Sequence, residues 1–525
     1  MGSASVGVDE VSRRSTAKDV QSTSCETTSY HDGKSPLDTD VYIVDWDGPD
    51  DPENPKKRKW TLTVIVSAFA FITPVTSSII APASAQLAEE FGLRNTTVIA
   101  MVTTIFVLAY AFGPLLLGPL SELYGRTRVL QLANLWFLAW NIGCGFAQNT
   151  GQILAFRFLA GLGGSAPLSV GAGALADCWS PEERGRAIAL YSAAPVLGPV
   201  LGPVVGAWIA QKSHWRWVVS RWNSSRLTRV HDVVEFYCTS LADGVVQVLG
   251  IILLRESFAP VLLEQKADRL RNNPTEKIRE GQKICTPYDG VDRQFKAAVV
   301  KALKRPFMLF LCEPIVQLLG AYFCFVYGVL YVFLTTIPTM FQRVYRETIG
   351  ISGLNYFALG VGLVGAAQVN ALLLDKIYKD LTKKNGGEGK PEYRLPSMVP
   401  GTILTPIGLF LSGWTARSNI HWIVPDIGIF MVGAGTILNF ICVQTYIVDA
   451  FSLHAASALA AVTFLRSLAG FGFPLFTPSM YTALGFGKGN TILAVAGIVI
   501  GCPAPFVLYF YGERIRKASR FATKA

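Results

Sequence analysis

From residue 61 to residue 512, long apolar runs alternate with short polar segments. The first run, Thr61 to Ala85, contains no charged residue. At about 1.5 Å rise per residue, a helix of that length crosses a hydrocarbon core of about 30 Å. Twelve such runs are expected, at 61–85, 97–120, 129–147, 152–176, 187–210, 236–254, 310–338, 349–374, 395–416, 422–448, 455–485 and 489–512. Gly and Pro are frequent inside them, which helix packing in lipid tolerates. The expected fold class is all-α integral membrane, with twelve spans in two pseudo-symmetric six-helix halves.

The longest internal hydrophilic stretch, 255–305, falls between runs six and seven, and six-plus-six symmetry suggests duplicated halves. The expected organisation is a disordered cytoplasmic tail over 1–59, a first half over 60–254, a cytoplasmic linker over 255–305, a second half over 306–512 and a tail over 513–525. Residues 1–55 are polar and lack the apolar core of a signal peptide. Lys and Arg collect at 56–59, 126–128, 184–186, 255–305, 376–394 and 514–524. With a cytoplasmic amino terminus these flanks all lie inside, which is the positive-inside pattern, and both termini face the cytoplasm.

Composition agrees with a bilayer as solvent. Hydrophobic residues make up 51% of the 525 and charged residues 16%, against about 25% charge in soluble domains. A disordered, collagen-like or small disulfide-framed protein is excluded. The net charge of +10 first suggests nucleic acid or acidic lipid, but its placement between apolar runs explains it as topology. Nine Cys are scattered with no Cys-x-x-Cys pair. Those in apolar runs read as small hydrophobes, so no metal site is expected.

Between runs two and three lies GPLSELYGRTRVL, residues 118–130. Gly118 is expected to let backbones approach, and Gly125 to permit a tight turn. Glu122 and Arg126 stand at helical pairing distance, and Arg128 adds a second basic anchor. After run eight, LLLDKIYKD repeats the theme with Asp375 and Lys379 four apart. Run five reads GPVLGPVVGAWI: Gly198, Gly202 and Gly206 share one face, and Pro199 and Pro203 interrupt the helical donors. Arg157 stands inside run four, where an unpaired charge costs several kcal/mol, by about +2.5–3.5 on insertion scales.

The 118–130 loop resembles the signature loop of the major facilitator superfamily, with Glu122 in place of the usual Asp. Run five resembles the antiporter motif of that family's drug:proton branch, and Arg157 its Arg motif in span four. DPENPKKRKW, SPEERGRA, WIVPDIG, VQTYIVDAF, AASALAAVTFLRS, FPLFTPSMY and YGERIRK follow in family order over most of the chain. Together they resemble the fungal twelve-span drug and polyamine exporters. The resemblance implies a proton-coupled antiporter for small organic compounds, working by alternating access and driven by the proton gradient, with no cofactor. It implies a cytoplasmic gate at 118–130 and a proton-coupling role for Arg157. The implied partners are membrane lipid, an organic substrate and protons, without nucleic acid, for a monomer in the plasma or vacuolar membrane. An importer or facilitator on the same fold, or a non-transporting sensor, remains open. No catalytic constellation is present, so no enzyme is expected.

Among intramembrane ionisable groups, Asp243 and Glu313 are candidates for proton coupling, with Arg157 or Arg466 as a cationic neighbour. Tyr327, Asn439 and Gln444 are candidates for lining the substrate cavity. Asn95-Thr-Thr forms a glycosylation sequon close to the membrane. In the family, Trp-Arg-Trp-Val runs directly into span six. Here HWRWV is followed by VSRWNSSRLTRVHDVVE, residues 219–235, polar and basic on the non-cytoplasmic side. Val219-Ser220 is compatible with a donor-like codon pair and Leu227-Thr228 with a branch-like one, so a retained intron is expected there; a genuine extended loop is the alternative.

Overall fold

The computed structural model describes residues 41–46, 59–179, 183–212, 233–272, 283–287, 295–387, 389–451 and 455–519. Its larger compact unit runs from Trp46 to Leu262 and from Arg293 onward. The first six predicted runs fall on α1 (Lys59–Ser78), α3 (Thr96–Tyr124), α4 (Arg126–Gly145), α5 (Thr150–Gly164) with α6 (Ala166–Cys178), α7 (Arg184–Lys212) and α8 (Val233–Leu253); the short α2 is Ser84–Glu90. The others fall on α10 (Phe295–Cys312) with α11 (Pro314–Val344), α12 (Ile349–Leu354) with α13 (Tyr356–Lys384), α14 (Val399–Thr415), α15 (Ile423–Ala450), α16 (Ala455–Gly501) and α17 (Pro503–Ala518); α9 is Ala259–Asn272. α16 is interrupted at Gly485, whose φ of +76° is the turn between the last two runs.

Among the described residues, nine helical stretches are long and apolar enough to cross a membrane, the last covering both final runs. α4 is not among them. The reason is local: Gln131, Asn134 and Asn141 lower its hydropathy, and these are the residues that bond it to α8. Asn141 donates to Thr239 Oγ1 (3.0 Å) and Ser240 Oγ (2.8 Å), Asn134 to Gln247 Oε1 (2.8 Å), and Gln131 to the Gly250 carbonyl (2.9 Å). These bonds satisfy the buried polar groups of the seam they join, with Asn134 Oδ1 left over.

α1 packs on α6, α7 and α8, α3 on α5 and α6, and α4 on α5 and α8. In the second set α11 packs on α15 and α16, α13 on α15, and α14 on α15 and α16. The sets meet where α3 touches α10 and α16, and where α7 touches α12 and α13. Large apolar side chains such as Leu132, Ile252, Leu372, Val499 and Phe510 point outward, the arrangement expected of helices that face lipid.

A smaller unit consists of residues up to Asp45 and Leu263–Asp292. Within it β1 (Val41–Ile43) pairs in parallel with β2 (Lys283–Cys285), and Val44 N–H donates to the Cys285 carbonyl at 2.9 Å. The stretch read as a disordered tail therefore contains a strand, formed where β-branched and aromatic residues adjoin. The stretch read as a linker contains α9 and β2, and α10 begins inside it.

Candidate functional site

The α3–α4 turn is built around Gly125, whose φ is +100°. A side chain there would be strained, and its Cβ would run into the Glu256 carboxylate. Glu256 caps the start of α4: it accepts from the backbone N–H of Arg126 (2.8 Å) and Thr127 (3.2 Å), and from its own neighbours Ser257 (3.0 Å) and Phe258 (3.1 Å). An anion at this position also faces the positive end of the helix dipole. The Arg126 guanidinium donates through Nε to Asp177 Oδ2 (3.2 Å) and through Nη1 to Ser121 Oγ (2.8 Å), and lies 4.9 Å from the Phe258 ring centre.

The expected pairing of Glu122 with Arg126 is present, but it is not the closest contact of Arg126. Glu122 lies 4.0 Å from Arg126 with its side chain 66% exposed, so Asp177, at the end of α6, is the closer partner. Helical spacing alone favoured Glu122, but the turn at Gly125 swings Arg126 toward α6. Arg128 is exposed. Gly118 also departs from expectation: nothing lies within 4 Å of an added Cβ. The close backbone approach on α3 is at Gly113, whose added Cβ would lie 2.7 Å from Ser165 Cβ.

The second helix set repeats the arrangement. Arg394 binds Asp449, at the end of α15, through Nε (3.0 Å), and Asp375, on α13, through Nη1 (3.1 Å). Asp375 thus pairs with Arg394 rather than with Lys379 four residues on. Nearby, Arg516 and Glu392 form two parallel bonds of 3.1 and 3.3 Å, with both side chains buried.

The glycine face of α7 lies on α1. An added Cβ at Gly198 would meet Pro74 Cβ at 2.7 Å, one at Gly202 the Val75 carbonyl at 2.7 Å, and one at Gly206 the Ile79 carbonyl. The helix continues through Pro195, Pro199 and Pro203. Its far end holds the second set: Gln211 Oε1 accepts from Gly350 N–H (2.6 Å) and Thr348 Oγ1 (3.3 Å). In the same turn Glu347 accepts from Asn355 Nδ2 (2.8 Å). Burial pushes the Glu347 carboxyl above its ordinary range and the Asn355 bond draws it back.

Where the sets meet, arginines and aromatic rings gather. Arg157 is buried and donates through Nη2 to the carbonyls of Ser77 (3.0 Å) and Thr103 (3.4 Å), with Phe106 at 5.5 Å. Phe106 packs on Tyr110 at 5.4 Å. Tyr110 lies beside Thr73 and Tyr327, and Tyr331 beside Tyr327 and Ser77. The Arg466 guanidinium stands over Tyr327 (4.7 Å), Phe440 (5.0 Å) and Phe323 (5.7 Å).

The candidate acids lie elsewhere. Asp243 is fully buried between α8 and α4, both oxygens 3.1 Å from Asn134 Nδ2, and among the described residues it forms no ion pair. Glu313 is buried at the extended break between α10 and α11. Arg466 stands over Tyr327, about 20 Å further along α11 than Glu313 at about 1.5 Å per residue. The expected pairing of Arg466 with a coupling acid is therefore absent for both.

Asn439 packs against Gly401 of α14 and donates to the Gly435 carbonyl at 2.8 Å, so it serves helix contact. Gln444 is half-buried. Asn95 caps α3, its Oδ1 accepting from Thr97 N–H at 2.9 Å. Of the inserted residues 219–235, only the helical backbone of 233–235 lies inside the described residues. Sequence reasoning missed Asp177 and Glu256 because they lie 51 and 130 residues from Arg126. The signal available was a charged residue at the polar end of an apolar run, as in ALADCW and LLRES.

Comparison with known proteins gives a consistent result. The sequence profile of the Major Facilitator Superfamily matches residues 66–220 and 235–474. "Efflux pump vrtL" of Penicillium aethiopicum is 44% identical over 491 residues, covering 93% of this chain and 92% of that protein. "MFS-type transporter penM" of Penicillium rubens is 42% identical over 494 residues, covering 93% and 92%. Among solved structures, the partially occluded inward-open xylose transporter XylE from E. coli superposes with a TM-score of 0.61 at 15% identity, over 86% of this chain and 99% of that one. A bacterial homologue of the lysosomal transporter Spinster gives 0.60 at 16% identity, over 90% and 99%.

Proposed function

The chain belongs to the major facilitator superfamily, and on that premise we propose that it is a proton-coupled antiporter that exports small organic molecules. The observation that carries export is the near full-length similarity to a protein named as an efflux pump. The packing of Gly198, Gly202 and Gly206 on α1 agrees with it. The basic flanks support a reading in which both termini face the cytoplasm and the protein resides in the plasma membrane. The two helix sets rock about the aromatic centre, protons entering as substrate leaves. The test is efflux in a host lacking its own pumps, against azoles, polyamines and fungal secondary metabolites. Export should fail when the proton gradient is collapsed; transport that continues unchanged would indicate facilitated diffusion.

In this reading the turn at Gly125 is the gate. Arg126 ties α3, α4 and α6 in one conformation of the cycle, and the bond must break in the other. A hydrogen bond to a charged group contributes about 1.5–3 kcal/mol. Arg126→Ala should therefore lower efflux about tenfold or more at equal membrane abundance, and Asp177→Asn somewhat less. Glu122→Ala should stay within about twofold, as an exposed pair contributes little. Undiminished efflux by Arg126→Ala would remove the gate from this turn.

We also assign residues 219–235 to a retained intron. The family profile stops at 220 and resumes at 235, which supports that reading. Reads across the junction should include a spliced form lacking codons 219–235; uniform retention would make the segment a genuine loop.

A further inference from the structure

Arg466 is the feature that the gate, the α7 ladder and the candidate acids leave unused. It stands on α16 inside the second helix set. Among the described residues it forms no ion pair, and its buried Nε has no hydrogen-bond partner. Its neighbours are the rings of Tyr327, Phe440 and Phe323. Cation–ring attraction offsets part of the cost of holding a guanidinium in a low-dielectric site, but a ring supplies no counter-charge. The rings pair with one another, Phe323 with Phe440 at 4.9 Å and Tyr327 with Tyr331 at 5.0 Å. Gly470, one turn beyond Arg466, admits the Tyr327 ring at a distance where a Cβ would already be tight, 3.0 Å from Cδ1.

Across from this group, in the first helix set, stand Thr73 and Tyr110. Tyr110 lies near Tyr327, and its hydroxyl and that of Thr73 lie beside each other, buried, with no other hydrogen-bond partner among the described residues. Unmet buried polar atoms are expensive, and they mark places where a further group completes the bonding. One cation and a cluster of tilted rings in the second half thus adjoin two buried hydroxyls of the first. Resting on the export reading above, we infer that this centre takes a flat aromatic organic anion, its carboxylate, enolate or phenolate oxygen on Arg466 and its rings among Tyr327, Phe323 and Phe440. The Thr73 and Tyr110 hydroxyls bond polar substituents at the other end. Arg466 is then the residue that selects charge.

The test compares two probes that differ only in charge, 2-naphthoate and 2-naphthamide, binding to the detergent-purified full chain by calorimetry. Naphthoate should bind at least about tenfold more tightly, the worth of a charge-assisted bond in a shielded site. Arg466→Gln should erase the preference by weakening naphthoate alone, and Arg466→Lys should restore part of it. Tyr110→Phe should leave both probes and their ratio unchanged, since neither carries a polar substituent at the end away from Arg466. Equal binding of the two probes by the unmodified protein, binding of neither, or a preference that survives in Arg466→Gln would overturn the inference. Because no gradient is present, these outcomes are read separately from export, which fails only if the pump-deficient host shows no efflux of any compound.

Discussion

Glu392→Ala should lower the stability of the folded protein by about 3–5 kcal/mol, the loss expected when one partner of a buried ion pair is removed. The pair with Arg516 is bidentate, at 3.1 and 3.3 Å, and the side chains are 2% and 4% exposed. It fastens α17 to the 3₁₀ turn Pro391–Met398 that leads into α14. Deleting the carboxylate leaves a guanidinium with most of its desolvation cost and little of its compensation. That amount is a large part of the 5–15 kcal/mol or so that holds a typical domain together. The unfolding midpoint of the purified protein and its abundance in the membrane should both fall sharply. Glu392→Gln should fall less, keeping an acceptor. The double variant Glu392→Leu with Arg516→Met should recover most of the loss, since an apolar pair of similar volume avoids the buried charge altogether. A midpoint unchanged in Glu392→Ala would show that α17 is held by its apolar contacts alone.

The membrane fold was legible because its cause is local. Each run of apolar residues is its own helix signal, and the polar breaks between them are the turns. Less legible was α4, where Gln131, Asn134 and Asn141 make a span too polar for hydropathy yet fit it to α8. Glu313 and Asn355 divide predicted single helices in two, which periodicity does not register. The turn at Gly125 was half legible: GPLSELYGRTR held the turn and the arginine, but the partner came from the end of α6 and the cap from beyond α8. Such contacts follow from how helices pack side by side. The strand at Val41–Ile43 was hidden for the same reason, its partner lying at Lys283–Cys285.

Asp243→Asn or Glu313→Gln should abolish concentrative efflux while substrate binding and passive exchange survive. A carboxyl group within a span is the group able to carry a proton through the cycle; among the described residues Asp243, Glu313 and Asp426 lie buried within predicted spans, and Asp426 stands in the first turn of its helix. The substitutions isolate titration from packing. At Asp243 the replacement amide can still bond to Asn134, whose Nδ2 faces both carboxylate oxygens at 3.1 Å and whose Oδ1 has no partner. Size is unchanged and the seam between α4 and α8 stays filled, so a loss of uphill transport would report the proton. Glu313→Gln likewise keeps the polar group at the α10–α11 break. If both single variants still concentrate substrate and remain proton-dependent, the coupling group lies elsewhere, with Glu122 or the substrate's own charge next in line.

The most direct measurement uses the purified chain in sealed vesicles, with the compound most strongly exported by the pump-deficient host. A pH gradient is imposed across the vesicle wall and substrate movement is followed. The account predicts that substrate accumulates against its own gradient, opposite in direction to the protons, and that a protonophore abolishes the accumulation. Equilibration without accumulation, or accumulation indifferent to the protonophore, would contradict it.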